Sequence, residues 1–189
     1  MPKLQTIIAS TRQGRQGPKV ASWFVDRAKA HGQFDVETID LAEVNLPLFD
    51  EPKHPRLRDY QHDHTKAWSA TIARGDAYVV VTPEYDHGPP ASLINAFQYL
   101  IHEWAYKPLG FVTYGGVSAG TRCMQAAKLT VVGLKMMPMF ESVSIPFFTQ
   151  HIDKESGEFN PGKVQDDAVV VLLDEMHRWS DALTPLRRK

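Results

Sequence analysis

Val79-Val80-Val81-Thr82-Pro83-Glu84-Tyr85-Asp86-His87-Gly88-Pro89-Pro90-Ala91-Ser92-Leu93-Ile94-Asn95-Ala96-Phe97 is the stretch on which the fold turns. Three successive β-branched valines suit a strand covered on both faces of a parallel sheet. Pro83, Pro89 and Pro90 cannot donate to a ladder, so the sheet stops there. Between the prolines lie Glu84, Tyr85, Asp86, His87 and Gly88, a polar turn held at the carboxyl end of a buried strand. Open α/β sheets bind their ligands at such ends. Helical spacing resumes with Leu93, Ala96 and Phe97 and continues through Leu100, Ile101 and Trp104, which predicts a helix over residues 90–104.

Working towards the N-terminus, Leu4, Ile7, Ile8 and Ala9 predict a first strand that breaks at Ser10. Ser10-Thr11-Arg12-Gln13-Gly14-Arg15-Gln16-Gly17-Pro18-Lys19 follows, and apolar residues recur at helical spacing from Val20 to Ala28. A strand, a loop rich in hydroxyls and glycine, and a helix start together present backbone N–H groups to a phosphate. The loop is neither a Walker A motif nor a dinucleotide fingerprint, because the Gly and Lys spacings are wrong for both. A solvated basic turn is the competing reading. Residues 34–40 alternate apolar and polar side chains, as a strand near a sheet edge does. Residues 47–55 are Pro-rich and irregular, a surface loop that could overhang a site. Residues 60–73 read as a helix with Ala67, Trp68 and Ile72 inward. His62 and His64 lie here, but two residues apart on a helix they share no face, so solvated histidines are expected rather than metal ligands.

Towards the C-terminus, residues 108–114 predict the fourth strand. It ends in Gly115-Gly116-Val117-Ser118-Ala119-Gly120, where glycines let backbone approach a flat ligand, and a helix over residues 121–132 follows. Residues 136–140 and 143–146 suggest a broken fifth strand, its methionines serving as adaptable packing. Asn160-Pro161 reads as a cap followed by proline at the first helical position. The last helix is expected to reach about Leu183, and Arg187-Arg188-Lys189 to be an unstructured basic tail.

The chain has 189 residues, 43% of them apolar, which suits one domain with a sizeable core. A formal net charge of -1 argues against nucleic-acid binding. Cys123 is the single cysteine, so no intrachain disulfide forms. No apolar run approaches the roughly 20 residues a membrane helix needs, and Met1-Pro2-Lys3-Leu4 shows no signal-peptide core. A cytoplasmic protein without membrane or nucleic-acid partners is expected.

Strands and helices alternate about five times, which implies a parallel sheet wrapped on both faces. The chemistry-bearing loops at residues 10–19, 83–90 and 115–120 all follow strands. They converge if strands one, three and four are neighbours, as in a flavodoxin-like three-layer α/β sandwich with strand order 2-1-3-4-5.

Taken together, these motifs resemble the NADPH-dependent FMN reductase family. Ser10-Thr11-Arg12 with Arg15 and Gly17, Pro83-Glu84-Tyr85-Asp86-His87-Gly88 followed by Asn95-Ala96, and Tyr114-Gly115-Gly116 carry the resemblance, in order, over nearly the whole chain. It implies homodimers, alone or paired into tetramers, with FMN near the interface and NADPH or NADH as electron donor. The acceptors it implies are small molecules such as flavins, quinones, azo dyes or metal oxyanions. Carried onto this sequence, Ser10, Thr11, Arg12, Arg15, Gln16 and Gly17 would hold the FMN phosphate. Pro83, Glu84, Tyr85 and Asp86 would border the ribityl chain and ring, and Tyr114, Gly115, Gly116, Val117 and Ser118 would meet the pyrimidine end. Backbone donors there would favour the charge of the reduced ring.

Two positions depart from the pattern: Asp86 stands where Asn is commoner, and Ala119 where Gly is. His87 is a candidate proton donor to a quinone, although solvent serves equally. Glu84 either takes part in chemistry, or caps a turn or pairs with an Arg at the dimer interface. Because no separate dinucleotide fingerprint exists, nicotinamide is expected to stack on the flavin itself, and electrons to pass by a ping-pong mechanism. A flavodoxin-type electron carrier is the alternative, and a near-neutral chain suits it less well.

Overall fold

A computed structural model describes residues 1–187; Arg188 and Lys189 of the basic tail lie outside the described residues. Five strands form one all-parallel sheet in the order β2-β1-β3-β4-β5. They are β1 (Lys3–Ile8), β2 (Asp35–Asp40), β3 (Ala77–Pro83), β4 (Pro108–Tyr114) and β5 (Met137–Ile145). The helices are α1 (Gly17–His31), α2 (Leu41–Val44), α3 (Asp63–Ala73), α4 (Ala91–Gln98), α5 (Thr121–Gly133) and α6 (Lys163–Arg187). The three-layer, flavodoxin-like arrangement is the one the sequence predicts.

The valines of β3 show why the sheet is central. Val79 and Val81 point into the apolar cluster shared with α1 and α6, and Val80 into the opposite cluster shared with α3, α4 and α5. All seven residues of β3 and all seven of β4 are buried, the signature of strands with a helical layer on each side.

Several boundaries differ from expectation. The fifth strand is continuous, with its irregularity absorbed as a register shift opposite Leu109 and Phe111. α4 stops at Gln98, although Leu100 and Trp104 are fully buried beyond it. They reach the core from turns, so the stripe marks burial and not helix length. Ala67 is exposed, while Trp68 and Ile72 face inward as predicted. Pro161 does not open α6: the Asn160 carboxamide accepts the Gly162 N–H at 3.1 Å, and the helix begins at Lys163. α6 also outruns Leu183, passing through Pro185 to Arg187. The Ser180 carbonyl there accepts both the Thr184 hydroxyl and the Arg187 guanidinium, and Arg187 pairs with Asp76 at 2.9 Å. The expected loose tail is therefore docked as far as Arg187.

Candidate functional site

Since β1, β3 and β4 are adjacent, the loops that follow them meet at one edge of the sheet. The first begins where the Ala9 N–H bonds the Val81 carbonyl at 3.0 Å. Gly17 opens α1 directly against this turn: a Cβ there would lie 2.4 Å from Ser10 Oγ and 3.0 Å from the Tyr114 hydroxyl. Only glycine fits so close an approach. Ser10 and Tyr114 are buried beneath the loop, and the Tyr114 hydroxyl donates to Ser10 Oγ at 3.4 Å. Burial pushes the Tyr114 phenol up to about 12, only partly offset by the Ser10 bond. Above them Thr11, Arg12, Gln13 and Gly14 face solvent. α1 carries no acid in its first turn, so its positive end is open to an anion.

The two arginines of this loop do different things. Arg15 directs both terminal nitrogens at Asp40, each at 2.6 Å, and donates to the Ser10 carbonyl at 2.9 Å. Its fork is thus filled from within the chain, tying the loop to the end of β2. Arg12 is exposed and donates from Nε to the Tyr85 hydroxyl at 3.2 Å, which bridges the first loop to the second.

The second loop is a two-residue hairpin. Tyr85 and Gly88 exchange both backbone hydrogen bonds, at 3.0 and 2.8 Å, around Asp86 and His87. Those two residues have φ of 47° and 70°, as a type I′ turn demands. Both side chains are exposed, while Tyr85 is half-buried.

The third loop is pinned from two directions. Gly115 and Gly116 carbonyls accept the N–H groups of Phe148 and Phe147, and the Thr113 hydroxyl donates to the Ala119 carbonyl at 2.8 Å. Ala119 and Gly120 have φ of 54° and 80°. The departure from glycine at Ala119 is therefore a matter of backbone strain, held by its neighbours. Gly116 has open space where a side chain would be. Val117 is 79% exposed beside it.

Glu84 joins the second loop to the third. Its Oε1 accepts the Ser118 hydroxyl at 3.0 Å and Arg122 Nε at 2.7 Å; its Oε2 accepts the backbone N–H groups of Arg122 and Cys123. Burial alone would raise this carboxyl, but those donors outweigh it and hold it below its ordinary range. It caps α5 and pairs with an arginine of the same chain, the structural role that the sequence left open.

The residues expected at the site thus divide by depth. Thr11, Arg12, Gln16, Tyr85, Asp86, Gly116, Val117 and Ser118 line the upper surface of the three loops; Ser10, Gly17, Pro83 and Tyr114 support it from below. Sequence reasoning missed Asp40, Arg122 and the Phe147–Phe148 pair. Asp40 and Arg122 carried no local motif, and Phe147 and Phe148 lie after β5, where nothing flagged them. His62 and His64 do meet, contrary to expectation: His62 precedes α3 rather than lying within it, the two rings stack with centroids 5.1 Å apart, and His64 bonds Asp50. Among the described residues no group of three His, Cys, Asp or Glu could hold a metal ion.

A cavity of about 980 Å³ opens at the opposite edge of the sheet among Asp76, Glu103, Lys107 and Arg187. Two of its charged groups are tied into the fold: Lys107 donates to the Ile72 and Ala73 carbonyls and the Tyr78 hydroxyl, and Arg187 to Asp76. Volume alone does not make it the site.

What the carboxyl edge offers is an exposed permanent cation beside a helix N-terminus, an aromatic wall and an open glycine floor. That donor set fits a phosphorylated flat cofactor, and the sheet is that of a flavodoxin-like protein. The family described as NADPH-dependent FMN reductase matches residues 2–150. A Schizosaccharomyces pombe protein named as an NAD(P)H-dependent FMN reductase is 40% identical over 149 residues, 77% of this chain and 74% of its own. A Saccharomyces cerevisiae protein of the same description is 32% identical over 146 residues, 71% of this chain and 75% of its own. Among solved structures, the Paracoccus denitrificans NAD(P)H:acceptor oxidoreductase FerB superposes with a TM-score of 0.74 at 17% identity, covering 96% of this chain and 98% of its own.

The chain belongs to the NADPH-dependent FMN reductase family, oxidoreductases that work with FMN and NAD(P)H.

Proposed function

We propose that this protein is a single-domain FMN enzyme that oxidises NAD(P)H and reduces a small acceptor of the quinone or flavin type, with azo dyes and metal oxyanions as further substrates. The observation that carries this reading is the meeting of the three loops around Arg12, Tyr85 and Gly116. FMN held by these residues would supply two-electron redox chemistry between NAD(P)H and the acceptor. The balance is NAD(P)H, a proton and quinone giving NAD(P)⁺ and hydroquinone.

The chain's own residues bind and orient. Arg12, the Thr11 hydroxyl, Gln16 and the α1 N-terminus take the phosphate; Arg15, held by Asp40, keeps the loop in shape for it. Ser10 and Gly17 set how close the phosphate comes to the sheet. The backbone of Pro83, Glu84, Tyr85 and Asp86 would border the ribityl chain, and the Tyr85 ring would pack against the cofactor. Tyr114 supports residues Gly115, Gly116, Val117 and Ser118, whose backbone would meet the pyrimidine end. His87 is too exposed to be needed as a proton donor, since water reaches the same place.

With no second nucleotide motif, donor and acceptor would take turns at one surface, which is a ping-pong scheme. A homodimer, alone or paired into a tetramer, is part of this reading, as is a cytoplasmic location suited to an unpaired thiol. Among the described residues no helix is long and apolar enough to cross a membrane.

The test begins with the visible spectrum of the purified protein, which should show bound or added FMN. NADPH and NADH oxidation against quinones, free flavin and azo dyes should then give parallel double-reciprocal lines. Intersecting lines would sink the shared-surface scheme, and a protein that takes up no FMN would sink the whole reading.

A further inference from the structure

We propose that Glu84 and Arg122 form a charge-compensated positioning pair that sets how strongly the site favours reduced over oxidised FMN. The proposal rests on the flavin reading above and deepens it.

Four observations lead to it. The Glu84 side chain is only 6% exposed, yet it sits on the turn that forms one wall of the site. Its carboxylate receives donors from Ser118, inside the glycine loop, and from the first turn of α5. The residue before that helix is Gly120, which has no side chain to cap it, so Glu84 serves as a cap from another loop. Arg122 closes the arrangement by donating to Glu84 from its guanidinium while staying half-exposed.

Two consequences follow for a flavin held between these loops. Glu84 is the chain neighbour of Tyr85 and its side chain bonds Ser118 of the glycine loop, so one residue ties the Tyr85 wall to the glycine floor. The electrostatics are fixed as well, because the α5 N-terminus and Arg122 are positive and Glu84 is negative. Neither sign dominates while the pair is intact. Removing one member leaves the other uncompensated near a ring that gains negative charge on reduction.

That predicts opposite shifts from the two halves of the pair. Glu84→Gln leaves Arg122 and the helix end unopposed, so reduced FMN should bind better relative to oxidised FMN by roughly tenfold. For a two-electron couple this is a rise of about 30 mV in potential. Arg122→Gln leaves the buried carboxylate without its countercharge, held only by Ser118 and the α5 N–H groups, and should shift the ratio the other way. The double variant should return close to the parent potential, and Arg122→Lys, which keeps the charge without the fork, should stay near it too.

The experiment is a spectroelectrochemical titration of the FMN-loaded parent and variants, with FMN affinity and apoprotein melting measured beside it. A purely structural clamp would lower FMN affinity in both single variants and move the potential in the same direction or not at all. That result would overturn the proposal while leaving the flavin reading intact. If Glu84→Gln does not fold, the comparison of Arg122→Gln with Arg122→Lys decides alone: equal potentials would overturn it. A parent protein that binds no FMN would overturn the flavin reading and this inference with it.

Discussion

Asp86 and His87 hold a conformation that L-residues avoid at a cost of roughly 1–2 kcal/mol each. Asp and His tolerate it better than most side chains, but only glycine adopts it without a Cβ penalty. His87→Gly should therefore stabilise the protein by up to about 1 kcal/mol, as read from denaturant unfolding. NAD(P)H oxidation should stay within about twofold of the parent across the range where imidazoles titrate. A lost pH dependence in that variant would instead make His87 the proton donor. At this scale the sequence was legible where a residue's chemistry is local. Pro83, Pro89, Pro90 and Gly88 announce the turn, and Gly17 announces a close approach. The partners of Arg15 and Glu84 were not legible, because Asp40 and Arg122 lie 25 and 38 positions away. Only the folded sheet brings those charges together, and until it does Arg15 looks like a free phosphate ligand.

Among the elements, the join between α3 and β4 carries the most unusual titration. Lys107 places its ammonium against the last carbonyls of α3, where it closes the helix end. Burial pulls it down to about 8, helped by the nearby Arg187 and opposed by Asp76 and Glu103. The unfolded chain then holds this proton more tightly than the folded one, so stability should rise with pH from about 8 towards 10.5. Tyr114 works in the other direction. Its folded value of about 12 against 10.0 means that stability is lost as pH climbs past 10. Urea unfolding at stepped pH should thus show a maximum in the alkaline range, and Lys107→Met should lack the rising limb. A parent curve flat from pH 8 to 10 would contradict this. Element type was readable from periodicity, but element length was not: Leu100 and Trp104 continue the stripe of α4 after its backbone has turned away.

The whole molecule keeps its two sheet edges apart in purpose. The carboxyl edge leaves Arg12, Gly116 and Val117 open, whereas the amino edge spends its charges on internal ties such as Arg187 with Asp76. Strand order was legible because βαβ alternation admits few topologies and three reactive loops had to converge. Assembly was not, since it depends on surfaces that only the fold defines. Leu129, Val132 and Phe140 remain 81%, 60% and 90% exposed on α5 and the edge strand β5. Sedimentation velocity should report a dimer or tetramer, and Leu129→Glu should shift it towards monomer; a monomeric parent would remove the dimer from the reading.

The indole rings are distributed evenly between the layers. Trp68 and Trp104 lie edge to face, 6.0 Å apart, in the layer of α3 and α4, while Trp23 and Trp179 belong to the layer of α1 and α6. Each side of the sheet therefore carries its own light source. A yellow cofactor absorbs where indoles emit, so occupancy of the site can be followed as dimming of intrinsic fluorescence, without a label or an electron acceptor.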